Sequence, residues 1–241
     1  MRIVAMVRTR DEERNIGRFC ETYSKIADTI LVADGGSSDR TLKIASSFPN
    51  VEIRPFTERT EMAAGHWRNN DSDHINFLIA WAREYEADWI ILDDCDCVPN
   101  YSLQQEGRLI FRDISHDVVM AVRLYLWGTT EHFPYMAKPD ENHENYEASL
   151  WAWRPEIDLL TVDVPPAFTL TLGGKDVADL HDCSSVLNLM PPFCLLHHSW
   201  DDPDITDEKM KVYRESGLIP GQLHPLDFAG PVEPLPSWAR V

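Results

Sequence analysis

"ADWIILDDCDCVPN", residues 87–100, sets Trp89, Ile90, Ile91 and Leu92 directly before Asp93, Asp94 and Asp96. A short apolar run of this composition reads as a buried strand. Carboxylates crowded at its end repel one another, and solvent, protonation or a cation must relieve that repulsion. Oxygen donors of this kind suit Mg²⁺ or Mn²⁺. The loop lacks the glycine and terminal glutamate of an EF-hand. No GxxxxGK[ST] occurs anywhere, so this is not the second acidic motif of a P-loop ATPase.

Working outward, "RIVAMV" (2–7) is a short β-branched strand. Within 11–30, Ile16, Phe19, Cys20, Tyr23 and Ala27 recur at helical spacing, with acidic residues 11–13 expected at the helix N-terminus. "ILVAD" (30–34) is a second strand. "GGSSDRT" (35–41) opens another helix, with Ser38 or Asp39 a candidate cap. "VEIRPF" (51–56) is a third strand. After a polar, irregular stretch at 57–73, Ile75, Leu78, Ile79, Ala82 and Tyr85 share one face of a helix leading into "WIILD" (89–93). This alternation predicts an α/β fold, with a mostly parallel central sheet and helices on both faces. In such sheets ligands bind beyond the carboxyl ends of the strands, where Asp34 and the Asp93–Asp96 cluster both fall.

Regularity fades later. "VVMAVRLYLWG" (118–128) is a strand, 129–147 a polar loop, and 148–200 short strands and connections. "DITDEKMKVYRESG" (204–217) is a final helix that Gly217 ends. A proline-rich tail follows from 218. With no repeat or linker in view, one domain over 1–241 is expected: 1–100 a nucleotide-binding half, 101–217 an acceptor half, 218–241 a surface tail.

The 241 residues suffice for a sizeable core, and a hydrophobic fraction of 44% with 8 Trp argues for a packed globule. A net charge of −18 disfavours unspecific binding to nucleic acid or anionic membrane. The charge is uneven. Residues 1–60 hold 10 Lys/Arg and 9 Asp/Glu, against 12 and 31 in residues 61–241, so the first quarter is suited to an anion such as a nucleotide diphosphate. Five cysteines, an odd number without CxxC or Cys/His zinc spacing, read as reduced thiols of a cytoplasmic protein. No apolar run approaches the roughly 20 residues of a membrane span, so a soluble chain is expected.

Three readings compete for the aspartates. They are a solvated loop, or Asp94-Cys-Asp96-Cys-Val98 is the nucleophile-and-acid motif of a haloacid-dehalogenase-type phosphatase. In the third, Asp94 and Asp96 hold a divalent ion that bridges the diphosphate of a nucleotide sugar and stabilises the departing nucleotide. The phosphatase reading leaves the first 90 residues as an unexplained extra domain. The third predicts a nucleotide-binding half upstream, where the near-neutral quarter lies.

"MVRTRDEERNIGRFCETYSKIADTILVADGGSSDRTLKIASSF" (6–48) resembles the opening of family 2 glycosyltransferases of the GT-A fold. Its Asp11-Glu12-Glu13 stands for their "NE" turn, with Asp11 where Asn is commoner, and Asp34 to Thr41 for their "VvDggStDgT" motif. "HWRNNDSDHINFLIAWAREYEADWIILDDCDCVP" (66–99) is similar to the family's "RN" segment, helix and DxD strand in unbroken order. "LLHHSWDD…MKVYRESG" (195–217) resembles the "H-x-S-[YW]…K…Y" signature of members that act on lipopolysaccharide core.

The resemblance implies an inverting transferase that uses a nucleotide diphosphate sugar and Mn²⁺ or Mg²⁺. Thr9, Glu12 and Asp34 would line the base and ribose pocket, and Arg68 would meet the diphosphate. Asp94, Asp96 and His197 would hold the metal, with His198 competing for the last place. Asp93 would stand behind them, while Asp39 and Thr41 would hold a turn. Direct displacement needs a carboxylate base, for which Asp163, Glu144 and Glu147 are candidates, Asp163 first for its apolar setting. Trp127, Phe133, Tyr135, Trp151 and Trp153 are divided between acceptor stacking and core, with core expected for most. The acidic second half favours a glycan or lipid-linked saccharide over DNA with hydroxylated bases, which stays open as an acceptor. A nucleotide-sugar binder without a base is the remaining alternative.

Overall fold

The computed structural model describes residues 1–61, 67–69, 71–127, 132–134, 148–164, 167–172, 175–176, 185–200, 204, 211 and 232–234. Along the chain run β1 (Ile3–Thr9), α1 (Ile16–Tyr23), β2 (Thr29–Asp34), α2 (Thr41–Ala45), β3 (Val51–Pro55), β4 (Arg59–Glu61) and β5 (Trp67–Asn69). Then come α3 (Asp71–Ala82), β6 (Trp89–Leu92), β7 (Cys97–Pro99), α4 (Tyr101–Asp113), β8 (Val118–Trp127) and β9 (His132–Pro134). The last are β10 (Ala148–Trp153), β11 (Leu159–Val164), β12 (Ala167–Leu172), β13 (Lys175–Asp176), β14 (Val186–Leu189), β15 (Leu195–Trp200) and β16 (Val232–Pro234).

The main sheet has the order β3-β2-β1-β6-β10-β8, continuing through β15 to β7. β1, β2, β3 and β6 are mutually parallel, whereas β10 runs antiparallel to both β6 and β8. The ten-residue β8 carries two partners in succession on its far side, both parallel to it. β14 takes Val118–Ala121, and β15 takes Arg123 to Trp127. β7 closes that edge antiparallel to β15.

Strands covered on both sides read as unbroken apolar runs because both faces are dry. In β1, Ile3, Ala5 and Val7 point into one core with α1, α2 and α4, while Val4 and Met6 point into the other with α3. The expected mostly parallel α/β sheet with helices on both faces is what forms. Ile16, Phe19, Cys20, Tyr23 and Ala27 are all buried, as their spacing implies. His74 anchors α3 to the sheet, its ring nitrogen 2.9 Å from the Ala33 carbonyl oxygen.

Some expectations need correction. α1 has no acidic residue in its first turn. Asp11 takes a positive φ of 54°, which breaks helical continuity, and residues 11–13 form a loop that bonds to the loop after β2. The stretch 57–73 contains the β4–β5 pair rather than only irregular chain. α4 had no forecast; Asn100 caps it by accepting from the Leu103 amide at 3.2 Å. Of the helix expected at 204–217, Asp204 and Lys211 are described and both are helical. Of the tail, Val232–Pro234 pairs antiparallel with β9. Among the described residues no helix is long and apolar enough to cross a membrane.

Candidate metal and donor site

The loops after β1 and β2 are stitched together. Thr9 and Asp34 are register partners, and the Thr9 hydroxyl donates to Asp34 Oδ1 at 3.3 Å. The Asp34 carboxylate also accepts from the Gly36 and Ser37 amides at 2.9 and 3.0 Å and from the Ser37 hydroxyl at 2.5 Å. Gly36 supplies the φ of 91° that this turn needs. The Asp11 amide donates to Ser37 Oγ at 2.9 Å, and Asp11 Oδ1 accepts from the Ser38 amide at 2.7 Å. Asp39 accepts from the Thr41 amide and hydroxyl and from the Glu13 amide, while Thr41 Oγ1 accepts from the Glu12 amide at 2.7 Å. Asp39 thus supplies the capping bond of α2, one residue ahead of the helix's formal cap position. The hydrogen bonds outweigh burial and hold its carboxyl below the ordinary value.

The second acidic loop is built differently. Asp93 follows β6 and is buried, with Oδ2 accepting from the Tyr23 hydroxyl at 2.5 Å. Its Oδ1 accepts from Arg123 Nη2 at 3.0 Å. Burial pushes the Asp93 carboxyl up to about 6, against the opposing pull of Arg123 and the Tyr23 bond. Asp94 lies at the mouth, its side chain 42% exposed. Arg8 Nη2 reaches its Oδ1 at 3.3 Å and Arg123 Nη1 its Oδ2 at 3.5 Å. The surrounding protein pushes the Asp94 carboxyl up, but the two guanidinium groups outweigh this and hold it below the ordinary value.

Asp96 meets its partner through the sheet. The antiparallel pairing of β7 with β15 sets His197 opposite Cys97. His197 Nε2 consequently lies 3.2 Å from Asp96 Oδ1, and both side chains are largely buried. The His198 amide donates to the Asp96 carbonyl at 2.7 Å. Successive side chains of a strand point to opposite faces, so this register separates the two histidines. His197 supplies the imidazole that meets the Asp96 carboxylate.

The donor atoms of Asp96, Cys97 and His197 lie within 4.8 Å of one another. With no ion bound, burial pushes the Cys97 thiol well above its ordinary value, and the oxygen and imidazole nitrogen of Asp96 and His197 are the donors that suit a hard divalent ion. Adjacent ligands of an octahedral ion bound at about 2.1 Å stand about 3 Å apart, which is the Asp96–His197 spacing. The residues fit Mn²⁺ or Mg²⁺, for which carboxylates are suited and a neutral imidazole is acceptable.

The structure therefore brings Thr9 and Asp34 together at the ends of β1 and β2, and Asp94, Asp96 and His197 around the end of β6. Arg68 stands in β5 opposite Thr60, and Asp163 in β11 opposite Phe168. Glu144 and Glu147 lie outside the described residues. Trp151 and Trp153 belong to the core, not to an acceptor face. Sequence reasoning missed Arg8 and Arg123. The signal for Arg123 was present, since a lone cation within the apolar run "VVMAVRLYLW" must find a counter-charge.

TarS of S. aureus in complex with UDP superposes with a TM-score of 0.53 at 12% identity, over 94% of this chain and 68% of that one. The fold is GT-A. A second TarS structure agrees, with a TM-score of 0.51 at 12% identity over 94% of this chain and 41% of that one. In this sheet β1, β2 and β3 lie on the same ladder as β6, the strand that leads into the acidic loop. No protein-family model matches the chain. Uncharacterized proteins of Mycobacterium tuberculosis and Mycobacterium bovis are each 23% identical over 207 residues, 83% of this chain and 47% of theirs. The chain thus spans about half the length of the curated relatives it matches.

Proposed function

We propose that this chain is a metal-dependent glycosyltransferase that moves a sugar from a nucleotide diphosphate sugar to a hydroxyl of a glycan or lipid-linked saccharide, inverting the anomeric centre. The reading is carried by one observation: Asp96 and His197 meet at 3.2 Å beside Asp94, at the carboxyl edge of a GT-A sheet. Asp94, Asp96 and His197 would hold Mn²⁺ or Mg²⁺, which when bound would offset the charge developing on the departing diphosphate. Arg8, at the end of β1, places a guanidinium beside the same carboxylates, where it can meet diphosphate oxygens as a charge-assisted donor. Thr9, Glu12 and the Asp34 turn would shape the base and ribose pocket, with Arg68 a further diphosphate partner. Asp34 already accepts four hydrogen bonds from Thr9 and its own turn, so its role there is to hold the pocket wall as much as to contact the ligand. Asp163 would take the acceptor's proton, with Glu144 and Glu147 next in line. The chain would work in the cytoplasm.

UDP comes first among donors to try, because it is bound in the TarS structure that superposes with a TM-score of 0.53. Calorimetric titration of UDP, GDP, CDP and dTDP, with Mn²⁺ and then with EDTA, tests the reading. Binding of one nucleotide in the Mn²⁺ arm alone is expected. No binding, together with hydrolysis of p-nitrophenyl phosphate that Asp94→Asn abolishes, would sink it. Binding without donor hydrolysis or transfer to any acceptor would leave a nucleotide-sugar binder.

A further inference from the structure

Behind the carboxylates that face the mouth lies a buried polar chain that the proposed metal site does not itself require. Trp151 Nε1 donates to the Tyr23 hydroxyl at 3.1 Å, and Tyr23 donates to Asp93 Oδ2. Asp93 Oδ1 accepts from Arg123 Nη2 at 3.0 Å and from the Asp94 amide at 3.0 Å. The second arm of Arg123 reaches Asp94 Oδ2. The chain joins α1, β10, β6 and β8, and Tyr23, Trp151 and the Asp93 side chain are completely buried. Its surroundings are apolar, including Phe19, Phe111 and Leu195.

Stability alone gives little reason for such a chain, since a buried ion pair is seldom worth more than apolar side chains of the same volume. Its geometry has a direction. Asp93 is anchored by Tyr23 on one oxygen and by Arg123 on the other. Arg123 then carries that anchorage outward to Asp94, the exposed member of the cluster. A planar fork can bridge two carboxylates in this way, whereas a lysine ammonium is a single point charge.

We infer that Arg123 is a positioning residue for the donor site: it holds the Asp94 carboxylate in place relative to Asp96 and His197, with Tyr23 and Asp93 as its fixed base. The inference rests on the proposed function and adds to it residues that touch neither metal nor nucleotide. Loss of such outer partners commonly lowers metal affinity 10–100-fold.

Two variants test it, Arg123→Lys and Tyr23→Phe, each followed by a thermal melt and by calorimetric titration of Mn²⁺ alone and of UDP with Mn²⁺ or EDTA. Arg123→Lys should melt within a few degrees of the parent yet bind Mn²⁺, and UDP in its presence, about 10-fold more weakly. Any weak UDP binding in EDTA should not change. Tyr23→Phe should show a smaller loss, about 3-fold, in the same direction, because Arg123 still holds Asp93. A purely structural role predicts lower melting temperatures with parent affinity in the folded protein, and that result overturns the inference. Parent-like affinity in both variants overturns it as well. Should Arg123→Lys not fold, Tyr23→Phe decides by the same criterion. Failure of the parent to bind Mn²⁺ and UDP overturns the proposed function and this inference together, whereas parent binding with unaltered variants overturns the inference alone.

Discussion

Two acidic loops lie at the carboxyl edge of the sheet, and they neutralise their charge in opposite ways. In the loop after β2, Asp34 and Asp39 accept mainly from amides and hydroxyls of their own turns. In the loop after β6, Asp93, Asp94 and Asp96 are met by Arg8, Arg123 and His197, which arrive on β1, β8 and β15. The first arrangement makes a rigid wall, and its carboxylates have little left to offer a ligand. The second gathers two guanidinium groups and an imidazole around carboxylate oxygens that a metal can share. Similar aspartate-rich strings thus become scaffold in one place and candidate site in the other, according to who satisfies them.

The largest effect is expected outside both loops. Asp163→Asn should leave nucleotide binding intact and lower turnover by about 10²–10⁴, as loss of a general base does. Turnover within a few-fold of the parent, measured by donor consumption, would pass the role to Glu144 or Glu147. Asp96→Ala should lower Mn²⁺-dependent UDP affinity about 100-fold in calorimetry while the fold survives, because removing one clustered charge relieves repulsion. Equal affinity in mutant and parent would break the contrast between the loops.

Asp39→Ala is expected to do the reverse, costing about 2 kcal/mol of stability in denaturant unfolding while the mutant protein, once folded, binds Mn²⁺ and UDP normally. The carboxyl of Asp39 is lowered by folding, so its contribution is present above its unfolded value, near pH 4, and is lost as pH falls through the folded value. The stability gap between parent and Asp39→Ala should therefore narrow below about pH 4. A gap independent of pH from 3 to 7 would show that the charge of Asp39 does not matter to its turn. Least of all, Arg40→Ala should leave the melting temperature unchanged within error, since the Arg40–Glu13 pair is solvated and screened.

Much of the first half could be read from the chain. The apolar runs of β1, β2 and β6 and the 3.6-residue spacing in α1 and α3 follow from burial against a sheet, and burial leaves a local pattern. The extent of α1 could not be read, because Asp11 adopts a left-handed conformation and the acids expected to begin the helix bond to the neighbouring loop. α4 was equally hidden, since two of its four buried positions, Gln104 and Gly107, carry no apolar side chain to mark the face. Within the site, the aspartates were legible as a crowded strand end. The positions of Arg8 and Arg123 were not, because a counter-charge is chosen by register and not by sequence separation.

The sequence by itself determined an alternating α/β chain whose carboxylates fall at strand ends, since apolar periodicity and strand termini are local properties. Tertiary structure alone decided that β7 turns back against β15, that His197 rather than His198 meets Asp96, and that one guanidinium spans Asp93 and Asp94. Adjacent histidines are chemically alike in a sequence. The register of β15 with its distant neighbour β7 is what brings the imidazole of one of them to the Asp96 carboxylate.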